Sequence, residues 1–472
     1  MAAPKRQIYL LSPKKYSPET IAVAFAKTSR SPETFQMIAD ELTDENTKQF
    51  NEKWVVGYGH SSVAEHAVLH LAFENASRLA MEAIESNRLA SYTEKSTRYQ
   101  KWDREQFYCP PEIIGSPFEE KYNQICAYLF DTYLETLEPV KAEVVRSNPR
   151  NPNETDELYD RRIRSRYVDA CRFLLPAASL ANAGMTVNAR ELESAIRKWL
   201  SHPLQEVREI GQAAKQVALD EVPTLVKYAE QQPSQQKIFD EMAKLAAGLN
   251  VPEEKPVACR LVASETEGED RILAAALYRF GGMSFEQAMK AIKDTAVSSD
   301  ITEVLFKDLT KFDVPLRELE HSYMTFDLVM DQGAYAEFKR HRMMSQTPQL
   351  LSCSNGYATP ALLGRAGVEE KYKQAMNAAQ MFWNELAEWN KDVAQYIVPN
   401  GYNRRVLATF NLREAFAFCQ IRTAPNAHFS IRRIAQMMAI EIKRVYPSLS
   451  KYMHITDETW QKIEIDHFTS VD

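Results

Sequence analysis

The feature that most constrains the fold is an internal repeat that runs through most of the chain. The segment "VAEHAVLHLAFE" at residues 63–74 resembles "ELEHSYMTFDLV" at residues 318–329, and each places Glu-His ahead of alternating apolar residues. Alternation with a period of two is typical of a strand. Further on, "MTVNARELESAIRKW" at residues 185–199 resembles "ATFNLREAFAFCQIR" at residues 408–422. The same signals occur twice in the same order, which indicates a tandem duplication of one domain.

Each copy has the same predicted order of elements. A short strand-like piece opens it, "RQIYLLS" at residues 6–12 and "ACRLVAS" at residues 258–264. Helices, the Glu-His strand, another helix, a polar loop and long helices follow. The long segments that begin at Glu119 and Glu369 have apolar residues near i, i+3, i+4 and i+7, as amphipathic helices do. The predicted class is therefore α/β or α+β, with helices dominant.

A polar stretch, "EQQPSQQ" at residues 230–236, interrupts the helical pattern near the midpoint of the 472 residues. Its composition suits a linker. The chain is also too long for one ordinary core. We therefore expect an N-terminal domain over residues 1–230 and a C-terminal domain over residues 237–472.

Charge and hydropathy exclude several classes of protein. The net charge of −7 argues against general nucleic-acid binding, although it leaves room for a local basic pocket. No apolar run approaches the ~20 residues of a membrane helix, and the start "MAAPKRQIYLL" lacks a signal-peptide core. We therefore expect a cytoplasmic protein with neither nucleic acid nor membrane as a partner.

Cysteine and histidine spacing gives no sign of a metal site. The six cysteines are scattered without a CxxC pair, which predicts reduced thiols rather than a disulfide framework. His60 and His66 do not have the HExxH spacing that places two ligands one helical turn apart. We expect no bound metal.

One candidate anion-binding segment lies in the C-terminal copy. Arg340, His341 and Arg342 are consecutive, so they cannot share one helix face, but in a loop they can surround an anion. A guanidinium group is a planar fork that matches phosphate oxygens. The alternative interpretation is a solvated basic patch.

A second candidate lies in the N-terminal copy, in "TEKSTRY" at residues 93–99. The hydroxyls of Ser96 and Thr97 and the adjacent N–H groups could donate to a phosphate that Arg98 neutralises. Glu94 could accept a hydrogen bond from a sugar hydroxyl. The alternative is a capped turn that carries a surface arginine.

Taken together, the two segments resemble the signature of the flavin-dependent thymidylate synthase family, RHRxxSxNxxSxR, which follows a Glu-His strand. The segment at residues 340–352 fits the beginning of the signature, with matches at Arg340, His341, Arg342 and Ser345. The segment at residues 86–98 fits its end, with matches at Arg88, Ser91, Ser96 and Arg98. Other signature positions are replaced, namely by Ser86, Asn87 and Thr93 in one copy and by Thr347, Leu350 and Ser352 in the other. Each segment lies nineteen or twenty residues after a Glu-His pair, which makes the resemblance specific.

The resemblance implies two tandem domains of helices with a small, mainly antiparallel sheet. In that family FAD and deoxyuridylate bind between subunits of a tetramer. The RHR segment contacts the flavin, with its first arginine reaching toward the nucleotide, and the Ser-x-Arg segment holds the nucleotide phosphate. Here the C-terminal copy keeps the flavin segment and the N-terminal copy keeps the phosphate segment. The resemblance therefore implies composite inter-domain sites and, for a duplicated chain, a homodimer.

The resemblance also assigns individual roles. The implied cofactor-binding residues are Arg340, His341, Arg342, Ser345, Gln420, Arg422, His60, Ser62 and Glu65. The implied substrate-binding residues are Glu94, Ser96, Thr97, Arg98, Arg208 and Arg405. Arg208 resembles a late arginine that the family places against the uracil, and its C-terminal counterpart is Arg432. Arg208 and Arg340 are the implied catalytic residues, because an arginine beside the pyrimidine carbonyls can stabilise negative charge on the ring.

The implied function is conversion of dUMP to dTMP, with FAD as cofactor and with NADPH and methylenetetrahydrofolate as co-substrates. The protein then supplies orientation and electrostatics. No cysteine is followed by His, which disfavours the Pro-Cys-His nucleophile of the other thymidylate synthases. Two alternatives stay open. One is a divergent homologue for another pyrimidine nucleotide or carbon donor, because Asn182, Ala83 and Glu337 replace the family's Arg, Gln and Gln. The other is a flavin- or nucleotide-binding protein without catalysis.

Overall fold

The computed structural model describes residues 7–96, 98, 102–252 and 254–471. The α-helices are α1 (Pro18–Thr28), α2 (Phe35–Glu41), α3 (Asp44–Phe50), α4 (Arg78–Glu85), α5 (Glu119–Ser147), α6 (Asp156–Cys171), α7 (Ala189–Leu200), α8 (Gln205–Glu221), α9 (Pro233–Ala247), α10 (Gly268–Gly281), α11 (Phe285–Asp294), α12 (Val297–Phe306), α13 (Gln332–Phe338), α14 (Ala361–Arg365), α15 (Glu369–Trp389), α16 (Lys391–Ala394), α17 (Leu412–Arg422), α18 (Phe429–Val445) and α19 (Trp460–His467). The strands are β1 (Val68–Ser77), β2 (Ala90–Glu94), β3 (Leu180–Asn188), β4 (Cys259–Ser264), β5 (Tyr323–Asp331), β6 (Ser345–Pro348), β7 (Thr359–Pro360), β8 (Asn403–Asn411) and β9 (Phe468–Ser470).

The chain forms two compact units, and the division between them does not lie at the midpoint of the sequence. Unit 1 comprises Met1–Lys95, Tyr108–Ser116 and Leu180–Pro252, and unit 2 comprises Ser96–Phe107, Pro117–Ser179 and Glu253–Asp472. Unit 2 therefore contains the long helices α5 and α6 of the N-terminal copy together with the C-terminal copy. Within the described residues, no helix is both long and apolar enough to span a bilayer.

Unit 1 is built around an antiparallel sheet of order β1–β3–β2. Val68 of β1 lies opposite Asn188 of β3, and Ala90 of β2 lies opposite Val187. The β3 strand ends at Asn188, whose side-chain oxygen accepts a hydrogen bond from the Glu191 N–H at 2.9 Å and caps α7. The sequence Asn-Ala-Arg at residues 188–190 thus lies at the junction between a strand and a helix.

Unit 2 contains an antiparallel sheet of order β4–β5–β8–β6. Strands β5, β8 and β6 correspond to β1, β3 and β2 of unit 1 and are hydrogen-bonded in the same order. Strand β4 is an additional neighbour of β5. Asn411 ends β8 and caps α17 by accepting from the Glu414 N–H at 3.0 Å. Helices α10, α13, α17 and α18 cover the sheet and bury an apolar core in which Phe326 stacks on Phe410 at 5.6 Å. The predicted class of helices with small antiparallel sheets is confirmed.

The two long predicted helices, α5 and α15, lie against each other in unit 2. Lys121 of α5 forms an ion pair with Glu385 of α15 at 2.5 Å, and Lys371 of α15 forms one with Glu135 of α5 at 2.8 Å. The two ion pairs are reciprocal. Such an exchange is the pattern expected where two copies of one element face each other.

Two chain segments beside these helices also pair reciprocally. The Ala177 N–H donates to the Val398 carbonyl at 3.0 Å, and the Asn400 N–H donates to the Leu175 carbonyl at 3.0 Å. Both copies therefore contribute backbone to the interior of unit 2.

The first predicted strand was wrong, because residues 7–12 form none. Its counterpart forms β4, in which Cys259 lies opposite Leu328 of β5. Ile8 and Leu10 are instead 91% and 92% exposed. A strand-like composition does not suffice without a neighbouring strand to accept its hydrogen bonds.

The polar stretch at residues 230–236 runs into a helix. Helix α9 begins at Pro233, where proline is favourable because its missing N–H costs no helical hydrogen bond. None of the residues of α9 is buried. This segment adds nothing to a core, as is usual for a connecting segment.

Candidate functional site

His341 lies inside a chain of buried polar contacts in unit 2. It follows α13, and its Nδ1–H donates to Glu414 Oε1 at 2.8 Å, while Nε2 accepts from Arg422 Nε at 2.9 Å. The ring edge packs on Phe418 with 4.9 Å between ring centres. Burial lowers the pKa of His341 against the opposing influence of Glu414. The neutral ring therefore holds the Arg422 guanidinium in place.

Arg422 also reaches Glu337 at the end of α13, with Nη1 2.8 Å from Oε2. Burial lowers the pKa of Arg422, and the positive charges of Arg340 and Arg98 lower it further. The other carboxylate oxygen of Glu337, Oε1, is buried without a hydrogen-bond partner among the described residues. This oxygen is an acceptor that a ligand N–H or hydroxyl could satisfy.

Arg98 belongs to unit 2 and lies in a turn, where the Ser96 hydroxyl accepts from its backbone N–H at 3.2 Å. Its Nε and Nη2 atoms donate to the two carboxylate oxygens of Asp169 at 2.9 and 2.8 Å. Its Nη1 donates to the Asn426 carbonyl at 2.9 Å. Asp169 is buried on α6. The ion pair fixes the plane of the Arg98 guanidinium.

The turn of Arg98 contacts the C-terminal copy in unit 2, because Arg98 Nη1 donates to the Asn426 carbonyl four residues after α17. The charges of Arg98 and Arg340 both act on Arg422, and the charge of Glu337 acts on Asp169, whose pKa burial raises. More than two hundred residues of chain separate the two signature segments. The fold therefore brings Arg98 of the first copy near Arg422 of the second.

A cavity of about 780 Å³ lies beside this cluster, between α6, α14, α18 and α19. Arg98 and Arg432 both line it. Arg432 is buried, with Nη1 3.2 Å from Glu458 and Nη2 3.2 Å from His467 Nε2. Sequence reasoning named Arg432 only as a counterpart of Arg208. It missed the other arginines of the cavity, although "DRRIRSR" at residues 160–166 is a dense basic run.

A second cavity, of about 650 Å³, lies in unit 1 beside α1 and α2. His60, Ser62 and Glu65 all line it, so the structure brings three of the predicted cofactor-binding residues together. Trp54 forms part of the wall, and the Arg30 guanidinium lies 4.8 Å above its ring. Glu65 forms an ion pair with Arg190.

Two other predicted residues of unit 1 have local partners. Arg208 Nη1 donates to the carbonyls of His202 and Pro203 at 2.8 and 2.6 Å, just before its own helix α8. Glu94 lies 3.0 Å from Arg78, and its side chain is 3% exposed. Neither residue lines the cavity that holds His60.

The remaining predicted residues of unit 2 are dispersed. Arg405 on β8 lies 3.3 Å from Asp327 and does not line the cavity of Arg98. Gln420 donates to the Lys311 carbonyl at 2.5 Å. Ser345 begins β6 and is exposed, and Arg342 is half-buried. Thr97 lies outside the described residues.

The chain contains two copies of a domain, each a small antiparallel sheet covered by helices. A cluster of basic residues comes from both copies. Together these features define the class of protein. A family model described as thymidylate synthase complementing protein matches residues 11–224 and again residues 260–448. The chain therefore belongs to this family and contains two tandem copies of its domain.

Relatives of two lengths match the chain. A protein of Chlamydia muridarum designated UPF0159 is 29% identical over 436 residues, which cover 88% of this chain and 82% of that protein. A flavin-dependent thymidylate synthase of Clostridium tetani is 25% identical over 216 residues, which cover 45% of this chain and 82% of that enzyme. The second match has the extent expected of one copy.

One solved structure also matches. It is flavin-dependent thymidylate synthase ThyX from Helicobacter pylori complexed with FAD and dUMP, 18% identical, with a TM-score of 0.30. The match covers 40% of this chain and 98% of that one. At this TM-score the likeness supports no further argument.

Proposed function

We propose that the chain is a FAD-dependent methyltransferase that converts dUMP to dTMP, with methylenetetrahydrofolate as carbon donor and NADPH as reductant. One observation carries the proposal, namely that Arg98 of the first copy and Arg422 of the second each pair with a buried carboxylate in unit 2, and that Arg98 also donates to the Asn426 carbonyl of the second copy. A family relative that matches one copy is a flavin-dependent thymidylate synthase, which supports the same reaction.

The nucleotide phosphate would lie at the turn of Ser96 and Arg98. The ion pair with Asp169 uses one edge of the Arg98 guanidinium and orients it, so that the cation is already in place when the anion arrives. Arg340 is the cation that would stabilise negative charge on the pyrimidine carbonyls. Arg422, which we assign to the cofactor, lies within electrostatic reach of Arg340. His341 holds Arg422 through its neutral ring.

Each unit by itself has groups that would suit a part of a flavin dinucleotide. In unit 1 the cavity of His60, Ser62 and Glu65 offers an aromatic surface at Trp54 together with hydrogen-bonding groups. In unit 2 the buried Glu337 Oε1 atom can accept a hydrogen bond. FAD supplies hydride when bound, and the chain's own residues bind and orient the reactants and exclude water. We assign the RHR segment and Ser345, Gln420 and Arg422 to the cofactor.

Other assignments come from the resemblance and extend this proposal. Glu94, Thr97 and Arg405 are proposed substrate-binding residues, and Arg208 is a proposed catalytic residue. We propose two domains, over residues 1–230 and 237–472, that arose by duplication. We also propose that two copies of the whole chain assemble as a homodimer. The cavity lined by Arg98 and Arg432 supports composite sites, because these residues come from different family matches.

The test is turnover of deoxyuridylate carrying tritium at carbon 5. With FAD, NADPH and methylenetetrahydrofolate present, we expect tritium to appear in water and dTMP to accumulate, and omission of the carbon donor should abolish dTMP. A yellow protein that binds dUMP but does not release tritium would indicate a different nucleotide or carbon donor. A protein that cannot be reconstituted with FAD would refute flavin chemistry.

A further inference from the structure

The cavity beside Arg98 is more basic than one phosphate requires. It is lined by six arginines against three carboxylates. The arginines are Arg98, Arg161, Arg162, Arg166, Arg365 and Arg432, and the carboxylates are Asp169, Glu458 and Asp466. Arg432 is buried, whereas Arg161, Arg166 and Arg365 are exposed. Like charges that share one cavity repel each other, so a bound anion would be stabilising there.

Some of these arginines are balanced from outside the cavity. Arg162 forms a two-point ion pair with Glu154 at 2.7 Å, and Arg161 lies 3.9 Å from Glu157. Two more of the six arginines pair with carboxylates of the cavity itself, Arg98 with Asp169 and Arg432 with Glu458.

Arg166 and Arg365 are not balanced in this way. Arg166 donates to the Asn148 side-chain oxygen at 2.5 Å, and neither it nor Arg365 forms an ion pair within the described residues. Partial burial lowers the pKa of Arg166, and the charges of Arg162 and Arg432 lower it further. Arg432 is buried, and its Nε atom has no hydrogen-bond partner among the described residues. The cavity therefore contains a buried guanidinium N–H that lacks an acceptor among the described residues.

The amino-terminal end of a helix also lines the cavity. Helix α18 has 17 residues, and the chain that enters it at Asn426 and Ala427 lines the cavity. Its macrodipole adds to the basic field. Phe429 stacks on His467 at 4.9 Å, and burial lowers the pKa of His467 to about 4, so this histidine is neutral at pH 7.

We propose that this cavity binds a chain of two or more phosphates, carried by a pyrimidine nucleoside di- or triphosphate whose first phosphate lies at Arg98. The identity of the base rests on the proposed function. The further phosphates lie against Arg432, Arg166 and Arg365. Nucleoside di- and triphosphates therefore compete with the monophosphate for one site and inhibit its methylation.

Calorimetric titration of the full chain with dUMP, dUDP, dUTP and inorganic pyrophosphate tests the proposal. We expect dUTP to bind at least about tenfold more tightly than dUMP, because charge-assisted contacts are added at a preformed site. The double variant Arg166→Ala/Arg365→Ala should lose this gain and its affinity for pyrophosphate, while its affinity for dUMP changes little. The matched control is Arg164→Ala, an exposed arginine of the same helix that does not line the cavity.

Equal affinity for dUMP and dUTP would overturn the inference, and so would an equal loss in the Arg164→Ala control. FAD and FMN form a further arm, because FAD also carries a diphosphate. A preference for FAD over FMN that disappears in the double variant, with dUTP unaffected, would overturn the nucleotide assignment. Far-ultraviolet circular dichroism of the double variant confirms that it is folded.

The two proposals fail separately. Turnover of dUMP without tighter binding of dUTP would leave the proposed function intact and refute the inference. Binding of dUTP that depends on Arg166 and Arg365, without turnover of dUMP, would do the reverse.

Discussion

Arg98 and Asp169 form a two-point ion pair in unit 2, with Nε 2.9 Å from Oδ1 and Nη2 2.8 Å from Oδ2. Asp169 is buried, so the pair is shielded from water and salt. The pair links the signature turn of the N-terminal copy to α6. A residue that sequence reasoning assigned to substrate is thus also part of an internal network, and variants must separate the two roles.

Replacement of Arg98 should weaken nucleotide binding while flavin is retained. Arg98→Lys keeps one positive charge beside Asp169 but loses the planar fork, so we expect dUMP affinity to fall by roughly tenfold to a hundredfold. Calorimetry measures dUMP binding, and absorbance near 450 nm (roughly the flavin maximum) measures bound flavin. Loss of flavin and nucleotide to the same extent would contradict the assignment of this turn to the phosphate.

Replacement of Arg342 should have the opposite result. This half-buried residue ends the RHR segment, and we expect Arg342→Ala to release flavin while dUMP affinity stays within about threefold of the wild type. The measurement is the ratio of flavin absorbance to protein absorbance after gel filtration. Arg444→Ala is the control, because Arg444 pairs only with Glu441 of its own helix among the described residues. Retention of flavin by Arg342→Ala would refute the assignment.

Four histidines with lowered pKa values predict that the folded protein becomes less stable as the pH falls below neutral. Burial lowers the pKa values of His202 and His467 to about 4, and lowers those of His341 and His428 as well. In the unfolded chain these side chains take up protons near pH 6.5, whereas in the folded chain they stay neutral. Their contribution is therefore complete above pH 6.5 and is lost as the pH falls toward 4. Each histidine adds at most about 1.4 kcal/mol per pH unit to the slope.

Thermal melts between pH 7.5 and pH 5 (about the window these groups define) check this prediction. Asp331 opposes the trend, because burial raises its pKa to about 6 and its protonation favours the folded chain below that pH. Because glutamine does not titrate, the variant His467→Gln should show a smaller decrease of melting temperature with falling pH than the wild type. An unchanged slope would show that His467 does not titrate on unfolding.

The close packing of the paired backbone segments inside unit 2 predicts a glycine that cannot be replaced without loss of stability. A Cβ atom at Gly401 would contact the Tyr372 hydroxyl and would lie 3.0 Å from Met376 Cε, and both side chains are fully buried. Gly401→Ala should therefore destabilise the protein by about 1–3 kcal/mol through overpacking. Denaturant unfolding provides the measurement. The control is Gly184→Ala, because a Cβ atom there meets nothing within 4 Å. Equal midpoints for the two variants would contradict the prediction.

The sequence predicted best what local chemistry determines. The internal repeat placed residues 185–199 and 408–422 at matching positions, and in both copies an asparagine there, Asn188 or Asn411, caps the helix that follows a strand. The apolar period of the segments at Glu119 and Glu369 predicted α5 and α15, since the buried face of a helix repeats every three to four residues.

The sequence predicted less well what depends on distant neighbours. Residues 7–12 have the composition of a strand but no strand beside them. Arg166 and Arg365 face one cavity only because α6 and α14 pack in the same unit, and no spacing in the sequence connects them. Arg405 matches a family position, yet its structural neighbour is Asp327 on the adjacent strand.

The presence of α5 and α6 in unit 2 has an evolutionary consequence. A gene cut within α9 would encode two polypeptides, and the second would lack the helices that carry Asp169 and half of the paired α5–α15 surface. The second polypeptide could therefore not complete unit 2 by itself. A substitution on the α5 surface is constrained by the α15 surface that it meets, and the reverse holds equally.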